Sequence, residues 1–230
     1  MIEKNRVNAY QSEEHMRAVV ASGGHRNIIG GAWEQLGPLQ FEYLRDQGLK
    51  PAHRLLDIGC GSLRGGVHFV DYLDTARSYG IDVSQALLDA GYHNELTRLG
   101  LPDKLPRTHL TQTDCFDLTG FDVQFDVAFA LSVFSHLSQN HVRLCLHRLA
   151  ERMAPGGRFH ATTFVTEPHE DWSHPIDQAR GGVRTYPDRD PFHFAPEHVH
   201  QVCSDTPWRV LSITDWGHPK NQKMIVFERE

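Results

Sequence analysis

A chain of 230 residues, 40% hydrophobic and 23% charged, holds enough apolar material for one ample core, and a formal charge of −6 with a pI near 6.2 gives no general attraction to the phosphates of nucleic acid. No apolar run is long enough to cross a bilayer, and the opening stretch MIEKNRVNAYQSEEH lacks the apolar centre of a signal peptide, so a soluble, cytoplasmic protein is expected. Cys60, Cys115, Cys145 and Cys203 show neither paired spacing nor a metal-ligand pattern, which suits a reducing compartment and leaves no metal site expected.

In chain order, residues 13–22 and 39–47 have helical spacing, and GGHRNIIGGAWEQLG between them reads as a flexible segment that settles onto something. RLLDIGCGSLRGG follows, over residues 54–66. Leu55, Leu56 and Ile58 predict a buried strand, and the glycines after them a loop turning into a helix near Gly65 that carries Val67, Phe69, Val70 and Leu73. So bare a loop lets a bulky ligand lie directly on the main chain. A second strand is predicted at 78–82, ending in Asp82, then a helix over 84–99, a third strand at 108–112 and a fully buried fourth at 125–130. Residues 144–153 predict a helix terminated by Pro155-Gly156-Gly157, with a fifth strand at 158–164. Residues 167–194 are polar, aromatic and rich in proline and histidine, and Pro196 opens a further helix. Runs at 209–215 and 223–227 are close enough for an antiparallel hairpin. The pattern is that of an α/β fold: a Rossmann-like, doubly wound sheet, mostly parallel with a C-terminal antiparallel hairpin strand, without internal repeats.

A nicotinamide-binding loop would place glycine at the sixth position of Gly59-Cys60-Gly61-Ser62-Leu63-Arg64, where Arg64 stands. Asp57 two residues before Gly59, the G-C-G, the later Gly65, the acid Asp82, Thr113-Asp114-Cys115, FDVAFALSVFSHLS from Phe125 and LAERMAPGGRF from Leu149 instead resemble the class I S-adenosylmethionine-dependent methyltransferases. The resemblance runs in that family's order over roughly residues 50–165. It implies S-adenosyl-L-methionine as cofactor, with Gly59, Cys60 and Gly61 bringing main chain against its methionine part and Asp82 accepting both ribose hydroxyls. By the same resemblance Val83 packs on the adenine face, Asp114 faces the adenine amino group, the Cys115 amide faces the ring nitrogen, and Leu131 and Ser132 line the sulfonium end. Asp57 belongs to this set or only ties loops together, and Cys60 is a small filler without thiol chemistry. Arg26 and Trp33 close over the cofactor, or Trp33 anchors its helix in the core. GCGSLRGG, GGHRNIIGGAWEQLG and WGHPKNQKM together look like a subset of bacterial methyltransferases. One domain over 1–230 is expected, with 1–50 a helical lid, 51–165 the cofactor-binding core, 166–195 an acceptor-side insertion that also serves as a lid, and 196–230 the terminal helix and hairpin.

After the fourth strand, amino-methylating DNA enzymes carry Asn or Asp, two prolines and an aromatic, and magnesium-using catechol-type enzymes a carboxylate; this chain has Ala130-Leu131-Ser132-Val133. The acceptor implied is a small molecule, with hydroxyl oxygen favoured over nitrogen or carbon, and neither nucleic acid nor membrane is an expected partner. Of sixteen histidines, His136 in SVFSHL is a candidate general base, or packs beside the cofactor. His193 in DPFHF is the second candidate, from an insertion that also holds His169, Asp171, Trp172, His174 and Tyr186 without the spacing of a helical two-histidine metal motif. A cofactor-binding or regulatory module without turnover is the competing reading, and a nicotinamide oxidoreductase the third.

Overall fold

The computed structural model describes Tyr10 and residues 12–230; residues 1–9 and 11 of the expected N-terminal segment lie outside the described residues. Contacts divide the chain after Asp117 into two units. The first opens with α1 (Glu13–Ala21), α2 (His25–Ile28) and α3 (Trp33–Asp46). Ser12 caps α1, its side chain accepting the His15 N–H. The segment expected to be flexible therefore holds a short helix and the start of a long one, and Tyr10 Oη pins it by donating to the Ile28 carbonyl at 3.1 Å.

β1 (Leu55–Ile58) is buried along its whole length, as its apolar run requires, and leads through the glycine-rich loop into α4 (Gly66–Tyr72). β2 (Ser78–Asp82) follows, and then α5 (Gln85–Ala90), capped by the Ser84 side chain. A π-helical stretch, Gly91–Leu96, continues α5 into α6 (Thr97–Leu99), so the helix predicted over 84–99 is present with one widened turn at its middle. Gly91 sits where that helix meets the loop: a Cβ there would lie 2.7 Å from Leu63 Cγ and 2.8 Å from the Ser62 carbonyl carbon. β3 (Leu110–Gln112) completes a parallel set in the order β3-β2-β1, with Leu56 opposite Tyr79 and Asp82 opposite Gln112.

The second unit contains β4 (Phe125–Ala130), α7 (Gln139–Ala150), β5 (Met153–Val165), β6 (Ile176–Asp177), β7 (Arg184–Thr185), β8 (His193–Phe194), α8 (Pro196–Gln201), β9 (Trp208–Asp215) and β10 (Lys223–Arg229). β4 runs parallel to β5, and β10 lies antiparallel between β5 and β9, the expected terminal hairpin. β6 and β7 form a small antiparallel ladder inside the insertion, and β8 returns to pair in parallel with the end of β5. Boundaries differ from the sequence reading in both units: in the first, α3 begins at Trp33 rather than 39 and β3 at Leu110 rather than 108; in the second, a helix and a turn are displaced. The helix predicted over 144–153 spans Gln139–Ala150, because Val142, Cys145, Leu146 and Leu149 share one buried face that starts earlier than the predicted range. Pro155-Gly156-Gly157 does not terminate it but lies within β5: Phe125 faces Met153 and Val127 faces Arg158, so the intervening residues of β5 bulge, with Gly156 at φ 74°. Pairing with β4 on either side outweighs the local turn preference.

The core of this unit is aromatic. Phe159 lies 5.7 Å from Phe134, 5.6 Å from Phe227 and 6.1 Å from Trp208, ring centre to ring centre, and the Trp208 indole donates to the Leu146 carbonyl at 2.8 Å. Among the described residues no helix is long and apolar enough to cross a membrane. Since Phe159 is fully buried, Phe159→Ala is expected to lower stability by about 3–5 kcal/mol. Urea denaturation checks this, and a midpoint within error of wild type contradicts the packing described.

Candidate functional site

The glycine-rich loop is held by one carboxylate. Asp82, at the end of β2, accepts the Gly61 N–H through Oδ2 at 2.8 Å and the Ser84 N–H through Oδ1 at 2.9 Å. Gly61 takes φ 53°, a conformation that disfavours β-branched side chains, and a Cβ on it would stand 3.0 Å from Ile29 Cγ2. Gly59 and Cys60 both donate to the Ile81 carbonyl, at 2.8 and 3.1 Å, which ties the loop to β2 a second time. Asp57, on β1, is buried as well. Burial raises the Asp57 carboxyl to about 8, with the Asp82 charge adding to the rise and Arg64 opposing it. Burial likewise raises Asp82 to about 6, against the pull of its hydrogen bonds from Ser84, Gly61 and Val83. The Cys60 thiol is pushed well above its usual range by burial and then by Asp57 and Asp82, so it sits here as a small, non-nucleophilic side chain.

Asp114 and Cys115 follow β3 and are exposed. Thr113 organises them: its N–H donates to the Asp82 carbonyl at 2.9 Å, and its Oγ1 accepts from the Cys115 and Asp117 amides at 3.3 and 3.0 Å. Val83 is half-buried, its carbonyl accepting from Gln112 Nε2 at 3.0 Å. Trp33 is half-buried at the start of α3, with the Arg26 guanidinium over its ring at 4.5 Å. Asp57, Gly59, Cys60, Gly61, Asp82, Val83, Asp114, Cys115 and Trp33 thus all belong to the first unit.

Leu131, Ser132, His136 and His193 belong to the second. Ser132 takes φ 59° directly after β4 and is fastened from two sides: its N–H donates to Thr162 Oγ1 at 2.7 Å and its hydroxyl to Gln222 Oε1 at 3.0 Å, while Thr162 Oγ1 donates to the same Gln222 oxygen at 2.7 Å. Four residues on, His136 Nδ1 meets Asp190 Oδ1 at 2.7 Å, both side chains being partly exposed. His193 is buried with both ring nitrogens engaged, Nδ1 with Thr185 Oγ1 at 2.9 Å and Nε2 with the Trp172 carbonyl at 2.8 Å. That arrangement makes it a fastener of the insertion.

Three participants were not legible in the sequence. Glu95, buried on the π-helical stretch, binds Arg26 through both oxygens at 2.8 and 2.6 Å and His25 at 2.7 Å. Burial alone would raise its carboxyl, but Arg26, His25 and Arg98 hold it down at about 2. Arg64 is buried and donates to the Ile29 and Gly31 carbonyls at 3.0 and 2.8 Å, burial lowering its guanidinium to about 10. Asp190 is the third. Apart from Arg98 three residues on, the partners of Glu95 lie 69 and 70 residues away, and that of Asp190 lies 54 away, beyond the reach of any local pattern. Among the described residues no group of three or more histidines, cysteines or acids is placed to hold a metal ion.

Residues 56–159 match the family model of a methyltransferase domain. The chain is 24% identical over 171 residues to the O-methyltransferase cnsE of Penicillium expansum, a match that covers 73% of this chain and 56% of that protein, so it spans little more than half the length of this curated relative. Its fold is similar to that of the magnesium protoporphyrin IX methyltransferase (ChlM) of Synechocystis PCC 6803 with bound S-adenosylhomocysteine, at a TM-score of 0.63, 15% identity and coverage of 95% of this chain and 99% of that one. A DhpI–SAM–HEP complex is similar at a TM-score of 0.65 and 18% identity, with 96% of both chains covered. The SAM-bound amino pentose methyltransferase CalS10 of Micromonospora echinaspora is similar at a TM-score of 0.64 and 18% identity, covering 92% of this chain and 97% of that one. The fold, the ordered motifs from β1 into β5 and the domain match agree in what they resemble: residues 56–159 match a methyltransferase domain, and the fold is similar to that of S-adenosylmethionine-bound methyltransferases.

Proposed function

We propose that the chain transfers a methyl group from S-adenosyl-L-methionine to a small-molecule acceptor, with a hydroxyl oxygen as nucleophile. The observation that carries this reading is the buried Asp82 carboxylate at the end of β2, joined through the Gly61 amide to the glycine-rich loop. The residues present fit such a cofactor. Arg64 Nε and His25 Nδ1, both beside that loop, are buried without a hydrogen-bond partner among the described residues, and an amino-acid carboxylate is a group that satisfies such nitrogens. In this reading the backbone of Gly59, Cys60 and Gly61 carries the methionine part, Asp82 the ribose, and Val83, Asp114 and Cys115 the adenine, with Asp57 supporting the loop; Leu131 and Ser132 serve the sulfonium end.

The bound cofactor supplies an already activated methyl group, so the protein has to align, to exclude water and to move one proton. Asp190 Oδ1 meets His136 Nδ1 at 2.7 Å, and a carboxylate there orients the imidazole and favours its protonated form once it takes a proton. When bound, S-adenosyl-L-methionine would supply the methyl carbon to the acceptor oxygen, with S-adenosylhomocysteine and a methyl ether as products, and His136 would take the hydroxyl proton. His136 is preferred to His193 because a carboxylate, Asp190, stands beside it, whereas His193 is buried and fastens the insertion through Thr185 and the Trp172 carbonyl. The four free cysteines accord with work in the cytoplasm. Residues 166–195 form the acceptor side of what we read as one domain over 1–230, with 1–50 as its N-terminal lid.

Asp82→Asn is expected to weaken S-adenosylhomocysteine binding at least tenfold, since charge-assisted bonds to two hydroxyls contribute about 1.5–3 kcal/mol each. In the wild type, affinity should rise as pH rises through about 6, where Asp82 ionises. A carboxyl raised in the folded state favours folding while it is protonated, and that stability is lost as pH rises through about 6. Binding and thermal stability should therefore move in opposite directions across this window, and the Asp82→Asn variant should show neither contribution. Calorimetric titration and melting curves against pH check this, and a pH-independent affinity in the wild type counts against Asp82 as the ribose carboxylate.

Once a screen of hydroxylated small molecules identifies an acceptor, His136→Ala should lower single-turnover methyl transfer by roughly two to four orders of magnitude, and Asp190→Asn by about tenfold or more, with cofactor affinity within a few fold of wild type. Wild-type rates and an unchanged pH profile in both variants would remove His136 as the base.

A further inference from the structure

Residues 24–33 cross the glycine-rich loop as a strap, fastened by residues of the loop and of the helix beside it as well as by Tyr10 at the Ile28 carbonyl. From the loop, the Ser62 hydroxyl donates to the His25 carbonyl at 3.0 Å, and Arg64 Nη1 reaches the carbonyls of Ile29 and Gly31. Ile29 lies against the bare face of Gly61. From the π-helical stretch, Glu95 grips His25 and Arg26, and Arg26 in turn covers Trp33. Further back, Glu13 on α1 accepts from the Ser84 hydroxyl at 2.9 Å and the Ala86 amide at 3.1 Å, two and four residues beyond Asp82. Arg64 thereby acquires a reason for standing where a dinucleotide-binding loop has glycine. The position does not serve close helix–strand packing; it places a buried cation under the strap, where it meets two main-chain carbonyls.

We propose that Glu95 and Arg64 are positioning residues of the cofactor site, acting through this strap: they hold residues 24–33 down on the glycine-rich loop and so set how fast the cofactor and its demethylated product exchange. This rests on the proposed cofactor site. Because Ile29 and the Arg64-bound carbonyls lie on the loop itself, a ligand laid along that loop enters and leaves by lifting the strap, and the energy of lifting is dominated by the Glu95–Arg26 pair, a two-point contact with the carboxylate buried. Arg64 is also a candidate contact of the ligand, and Arg26 stands over Trp33, which is another, so Glu95, which is neither, separates the two effects.

The experiment is stopped-flow displacement of S-adenosylhomocysteine from wild type, Glu95→Gln and Arg26→Met, with amide hydrogen exchange of residues 24–33 followed in parallel. Both variants should exchange these amides faster and release S-adenosylhomocysteine at least about tenfold faster, with a smaller change in dissociation constant because entry accelerates too. A fastener of the fold alone would lower the melting temperature without moving the release rate. Faster amide exchange with an unchanged release rate overturns the gate, and unchanged amide exchange in both variants overturns Glu95 as its anchor. Should Glu95→Gln fail to fold, Arg26→Met, altered at a partly exposed side chain, decides by the same readouts. Absence of S-adenosylhomocysteine binding by the wild type is a separate result, which removes the cofactor site itself and the strap's role with it.

Discussion

The arrangement of the first unit depends on one buried carboxylate accepting two main-chain amides. Asp82 joins the loop after β1, through Gly61, to the start of α5, through Ser84, and its own backbone carbonyl receives Thr113 from the segment after β3. Three separate connections are thereby brought to one strand end. Removing an ionised acid from water is costly, and the two amide bonds together with a third from Val83 only partly offset that cost, which is why Asp82 titrates near 6. Asp57, lacking that degree of compensation, goes higher still. Strain of this kind gathers where a protein handles a ligand, and here it gathers at the C-terminal ends of parallel strands, where α/β sheets bind theirs.

The same economy of contacts explains the buried charges around it. Arg64 has no solvent to face, and it satisfies Nη1 with carbonyls of residues 29 and 31; Glu95 has none either, and it draws in Arg26 and His25. Each leaves a segment of the N-terminal region fixed to the loop. Removing one partner of such a pair leaves an uncompensated charge, so these contacts are expensive to break even though each contributes modestly when intact. In the second unit an uncharged network does similar work. Thr162 and Gln222 determine the backbone of Ser132 in a left-handed conformation, and His193 holds Thr185 and the Trp172 carbonyl so that the insertion keeps one shape.

Much of the fold was legible because it is written locally. Strands at Ser78–Asp82 and Phe125–Ala130 coincide with the short strand-like runs read from the sequence, and α8 starts at Pro196 because proline is compatible with a first helical turn. Where the reading went astray, local preference lost to pairing. Pro155-Gly156-Gly157 has every mark of a turn, yet β4 on one side and β10 on the other carry β5 through it. GGHRNIIGGAWEQLG reads as a flexible segment that settles onto something, and what holds it comes from far along the chain: Ser62, Arg64 and Glu95.

For the candidate site the division follows the same line. The amino-acid sequence by itself determined the glycine-rich loop, the acid at the end of β2 and the order of motifs, because each is a short pattern whose chemistry depends on neighbours in the chain. Folding alone puts a carboxylate beside His136 rather than His193, engages both nitrogens of His193, and brings Arg64 and Glu95 onto residues 25–31. Those assignments depend on partners 54, 8, 35 and 70 residues apart in sequence, and it is folding, with the burial that makes an unpaired charge intolerable, that selects one partner among the many the sequence offers.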